Sequence, residues 1–87
     1  MPYVNEEARL RLEPLARIRP LTPGELNYCI TKLVLNFMAS QTHNYAAYNA
    51  AVGAMENAKN EFQWRCLRHY EDEAMKKHGD VFPGDVK

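Results

Sequence analysis

Residues 22–39, TPGELNYCITKLVLNFMA, decide the fold. Thr22 and Glu25 occupy the two positions of a capping box: the threonine hydroxyl accepts from the backbone N–H three residues on, and the glutamate reaches back toward the donors ahead of the helix. Pro23 falls at the first helical position, where a missing N–H costs nothing. A helix therefore starts here. Leu26, Ile30, Leu33, Val34 and Phe37 recur behind it at helical spacing, with Cys29 beside them, and this apolar stripe runs to about Met38. Asn27, Thr31 and Lys32 take the opposite side.

Toward the C-terminus, Ser40-Gln41-Thr42-His43-Asn44 is a polar turn in which Thr42 or Asn44 can cap the next helix. From Tyr45 to about Lys77 there is no proline and only Gly53 as an internal glycine, in a run rich in strong helix formers. This predicts one long helix. Its stripe is Tyr48, Ala51, Val52, Met55, Ala58, Phe62 and Cys66, while Ala47, Ala50 and Ala54 thin the neighbouring face for close helix approach. Gly79 suits the position just past the helix, with Lys76, Lys77 and His78 near its negative end. Toward the N-terminus, Asn5 can cap one or two turns that open with Glu6 and Glu7 and carry Leu10, Leu15 and Ile18; Pro14 interrupts them and Pro20 ends them. The expected architecture is all-α and a single domain over residues 1–87: an N-terminal arm (1–21), a helical hairpin with a long second helix (22–78) and an extended tail (79–87).

Composition narrows the function classes. Eleven Lys and Arg balance eleven Asp and Glu over 87 residues, so long nucleic acid, which is gripped by many cations displacing counterions, is a poor partner. The apolar run Leu33–Ala39 is broken by Asn36 and far shorter than the ~20 residues a membrane span needs. Met1 to Arg19 mixes three glutamates with four arginines and has no apolar segment, unlike a secretory signal. A reducing compartment and free thiols at Cys29 and Cys66 are the expectation. Cys66 and His69 have half the spacing of a zinc site without a second pair. There is no phosphate-binding glycine loop, nucleophile elbow or H-E-x-x-H motif. The reading is a protein without enzymatic activity, cofactor or metal.

Helix lengths imply a partner. At ~1.5 Å per residue the long helix spans roughly 45 to 50 Å and the helix from Pro23 about 25 Å, so a hairpin leaves Phe62, Trp64, Cys66, Leu67 and Tyr70 without a neighbour. An arm broken by Pro14 is too small to cover them. A homo-oligomer, most simply a twofold dimer with Phe62 and Leu67 at or near its interface, is therefore expected.

Two groups of polar residues are candidates for binding. Glu61, Arg65, Arg68 and Asp72 lie four, three and four residues apart, the spacing of a solvated ion-pair ladder; with Trp64 and Tyr70 nearby, the two arginines also suit a phosphate and a stacked base. Asn27, Tyr28, Tyr45, Asn49, Glu56 and Lys59 form the second group. Asn49, Glu56 and Lys59 project from the half of the long helix expected to pack in the hairpin, where polar groups must be hydrogen-bonded or line a cavity.

The strings Pro23-Gly24-Glu25-Leu26-Asn27-Tyr28, Tyr45 with Asn49 and Gly53, Glu56-x-x-Lys59-x-Glu61-Phe62 with Arg65, Tyr70-Glu71-Asp72 and Gly79-Asp80-Val81 resemble a family of small uncharacterised proteins of tailed phages and prophages. The resemblance covers roughly residues 22 to 82. In that family an amide usually stands at the position of His78, and a second basic residue comes after Arg65 where this chain has Cys66. It implies a viral setting and the host bacterial cytoplasm. Small helical phage oligomers that sequester nucleotide second messengers of bacterial immunity, holding them between protomers without hydrolysis, offer the matching function. Under that expectation Arg65, Arg68 and Lys59 contact phosphates, Tyr28, Tyr45, Trp64 or Tyr70 stacks on a base, and Asn27, Asn49 and Glu56 read polar edges. The alternative is a module that docks on a host protein through the overhanging half of the long helix, with Trp64, Leu67 and Phe82 exposed together. A morphogenesis or DNA-packaging accessory also fits the viral setting.

Overall fold

In the computed structural model, which describes residues 4–80, side-chain caps start three helices. The Asn5 Oδ1 accepts from the Ala8 N–H at 2.8 Å and opens α1, Glu6–Leu12. Pro14 then tightens the chain into a 3₁₀ turn, Glu13–Arg17, so the arm carries more helix than the expected one or two turns. The Thr22 Oγ1 accepts from the Glu25 N–H at 3.1 Å and opens α2, Pro23–Ala39. Glu25 completes the box one residue farther back than its usual target, accepting from the Leu21 N–H at 2.8 Å. Asn44 accepts from the Ala47 N–H at 2.9 Å and opens α3, Tyr45–Phe62. No strand occurs among the described residues.

The long helix differs from expectation at one place. After α3 the chain makes a π turn, Gln63–Leu67, before α4, Arg68–His78. The Arg68 N–H donates to the Gln63 carbonyl five residues back. Backbone angles at the joins stay helical, φ −63° and ψ −45° at Phe62 and φ −61° and ψ −42° at Arg68, so the rod continues unbroken, through Gly53 as well. A π turn inserts one residue into the winding, and everything after it is rotated relative to the stripe before it. At the far end Gly79 adopts φ +86°, a conformation open to glycine and strained for other residues. The remainder of the extended tail expected for residues 79–87 lies outside the described residues.

The α2–α3 connection is held by donors converging on the end of α2. The Ser40 hydroxyl donates to the Phe37 carbonyl at 2.8 Å, and the Gln41 N–H reaches the Met38 carbonyl at 3.0 Å. The His43 Nε2 lies 3.0 Å from that same Met38 oxygen; since a carbonyl only accepts, this hydrogen bond requires the proton on Nε2. These bonds satisfy carbonyls that a helix end leaves unpaired.

On α3 the hairpin packs through alanines. Among the described residues Met38, Ala47 and Ala51 are buried, with Val34 packed against them. One turn farther along each helix, Ile30 and Met55 are already about two-fifths exposed. The contact is therefore confined to the turns beside the connection. Tyr48, Val52 and Phe62, expected to form the packing stripe, are mostly exposed, because the methyl side chains of Ala47 and Ala51 allow an approach that large residues on the adjoining face would block. Among the described residues, no part of α1 or its 3₁₀ turn comes within 8 Å, Cα to Cα, of α2 or the long helix. The radius of gyration is 17.4 Å, against about 12 Å for a compact chain of this length.

Candidate functional site

The overhanging half of the long helix presents a concavity with aromatic, apolar and charged groups together. It is an open groove of about 830 Å³. Trp64, Leu67 and Met75 supply its apolar surface, Asn60, Gln63 and Arg68 its donors, and Glu71, Asp72 and Asp80 its carboxylates. Trp64 reaches the groove from the π turn and Arg68 from the first residue of α4. The Arg68 guanidinium carbon lies 4.2 Å from the centre of the Trp64 ring, a cation–π stack. Arg68 thus turns to the indole, and an Arg68–Asp72 ion pair is not among those formed by the described residues. The other half of the ladder does form, with Arg65 Nε donating to Glu61 Oε1 at 2.9 Å.

Other expected site residues are dispersed. Lys59 pairs with Glu56 at 3.0 Å on an exposed surface, and Asn49 is exposed; the expectation that these three line a packed interior is corrected, because the hairpin contact ends before it reaches them. On α2, Asn27 accepts from the Thr31 hydroxyl at 3.3 Å, and the Lys32 ammonium lies 5.5 Å from the Tyr28 ring centre. Tyr45 is exposed at the start of α3. From Tyr45 to Tyr70 the axial separation is roughly 37 Å at 1.5 Å per residue. Within one chain the structure brings Trp64 to Arg68 and Lys59 to Glu56 and leaves the rest apart.

A second, smaller concavity of about 570 Å³ at the end of α4 is one that the sequence reading does not anticipate. It groups Tyr70 with Lys76, Lys77 and His78. Lys76 is engaged by Glu73 at 3.3 Å. From sequence these cations read only as partners of the helix dipole. The spacing of Tyr70 and Lys77, seven residues on one face, is the signal that links them.

These features define a small all-helical hairpin protein with an overhanging, aromatic-bearing helix, and no helix among the described residues is long and apolar enough to cross a membrane. The chain belongs to the family described as a domain of unknown function, DUF6899, whose model matches residues 1–81. That match takes in the N-terminal arm as well as the hairpin. A search of the curated proteins and a search of the solved structures each find no match.

Proposed function

We propose that this protein is a self-associating, non-catalytic binder of a nucleotide-type ligand. In the phage setting implied by the sequence resemblance, it sequesters a cyclic oligonucleotide or cyclic ADP-ribose second messenger of bacterial immunity in the host cytoplasm, in pockets between protomers. The observation that carries this reading is the exposed Trp64–Arg68 stack. An indole already faced by a guanidinium is a platform for a base with a cation within reach of its phosphate. Tyr70 with Lys77 on the same helix adds a second aromatic and further positive charge. Glu71, Asp72 and Asp80 on the groove wall oppose further phosphate there, so the phosphates beyond the one that Arg68 meets are assigned to the Tyr70 side and to cations of a second copy. Asn27, Tyr28, Tyr45, Asn49, Glu56 and Lys59 reach a common ligand only across protomers.

Titration calorimetry against cyclic dinucleotides, cyclic trinucleotides and cyclic ADP-ribose isomers tests it. Binding is expected, with intact ligand released on denaturation. Arg68→Ala is expected to lose roughly 1.5 to 3 kcal/mol of it, while changing fold stability by less than about 1 kcal/mol.

A second reading is favoured by one observation: Trp64, 63% exposed, and Leu67, 38% exposed, lie in the same groove. Together with Met75 they form the apolar anchor of a docking face for a host protein. Phe82, the third expected member, lies outside the described residues. Silence across the nucleotide panel, combined with retention of one host protein that Trp64→Ala no longer retains, selects this reading.

A further inference from the structure

Most of the apolar stripe of α2 stays half-exposed among the described residues. Leu26, Ile30, Leu33 and Phe37 recur at intervals of four, three and four, the spacing of a coiled-coil seam with an isoleucine and a phenylalanine at the first core position and leucines at the second. All four are 41 to 50% exposed. The hairpin contact uses Val34, which borders the seam, and Met38 beyond it. From Leu26 to Ala39 the only charged residue is Lys32, and its ammonium lies over the Tyr28 ring, off the seam. The positions flanking the seam, Asn27, Cys29, Val34 and Asn36, are uncharged.

We infer that this seam is the self-association face, and that its occupant is the same seam of a second copy. The chain exposes 8169 Å², whereas the size scaling of folded monomers gives about 5,300 Å² at this mass. The surplus exceeds by more than threefold the roughly 800 Å² that each partner gives up in a standard interface, so one face can be covered with the overhang still free. An uncharged, self-complementary stripe meets an identical stripe without like-charge repulsion, whereas a charged partner would find nothing on it to pair with. The inference specifies the assembly on which the proposed inter-protomer site rests, and it does not depend on the ligand.

The test is sedimentation of the full chain at tens of micromolar, with helicity measured by circular dichroism. The unaltered protein is expected to sediment as a dimer or larger species. Leu33→Lys is expected to raise the dissociation constant about a hundredfold or more, since a buried leucine is lost on each copy. Leu35→Lys, on the same helix but off the seam, is expected to leave it unchanged. Should Leu33→Lys also unfold the chain, Cys66→Ser decides: Cys29, partly accessible beside the seam, is then the sole thiol, and a short bismaleimide is expected to trap a covalent dimer. A monomeric unaltered protein, an equal effect of Leu35→Lys, or no dimer trapped through Cys29 overturns the inference. A nucleotide panel that stays silent while the mass remains dimeric counts against the ligand reading alone.

Discussion

The two halves of the long helix share one backbone rod and differ in what they touch. In α3, Ala47 and Ala51 lie against Met38 and Val34 of α2; in α4 no described residue is buried. What is buried is small, and what is exposed is large: Tyr48, Val52, Phe62 and Trp64 all remain accessible in the protomer. Burial in this hairpin depends on how closely two backbones can approach beside a short connection, and alanine permits that approach where valine or phenylalanine would hold the helices apart. The large apolar residues are therefore surplus to the protomer. Exposed apolar residues of this kind offer area that a second copy or a ligand would cover.

The sharpest way to break this comparison is to place the same charge inside the hairpin contact of α3 and just outside it. Ala51→Glu puts an unpaired carboxylate into the hairpin contact and is expected to cost about 3 kcal/mol. For a chain with so small a core, that is enough to lose most of its helical signal at moderate temperature. Ala54→Glu, one turn along at an exposed position, is expected to move stability by less than about 0.5 kcal/mol. Thermal melts by circular dichroism separate the two. Equal effects would mean that the alanine contact does not hold the hairpin.

The π turn offers a smaller and more selective perturbation. Deleting Cys66 removes one residue from Gln63–Leu67 and lets the winding return to α, with an expected gain of about 1 kcal/mol from better-formed backbone hydrogen bonds. The Arg68 N–H then meets the Gln63 carbonyl as an ordinary four-residue bond, so α4 keeps its orientation, and Trp64 and Arg68 become three-residue neighbours that can still stack. A higher melting temperature with ligand or partner binding largely kept is the expected pair of results. Loss of binding would show that the groove depends on the wide turn itself.

Much of the fold is legible in the sequence because its signals are short-ranged. Thr22 with Glu25, Asn44 and Asn5 each satisfy a backbone donor within four residues, so their chemistry can be read directly from spacing. The π turn is not legible: residues 63–67 carry no glycine or proline, and winding by one extra residue leaves no compositional mark. The buried face escapes sequence reading for a related reason. Hydrophobicity ranks Val52 and Phe62 above Ala47, but the ranking contains no information about the approach of α2. At the site, the Glu61–Arg65 pair is readable from its spacing. The turn of Arg68 to Trp64 in place of Asp72 is not, because both partners lie four residues away and the choice rests on the rotated geometry after the π turn.

Gly53 carries the finest test of which faces of α3 are free. A glycine inside a helix is less favourable than alanine by roughly 0.5 to 1 kcal/mol, through backbone entropy lost on folding. A Cβ built at Gly53 meets nothing within 4 Å, so no steric term offsets that gain within the chain. Gly53→Ala is expected to raise the melting temperature by about 3 to 6 °C for a domain of this size. With self-association running along α2, the oligomeric mass is expected to stay the same. If the mass falls while helicity holds, the glycine marks a place where a second copy's backbone comes close, and the assembly then uses α3 as well as the seam on α2.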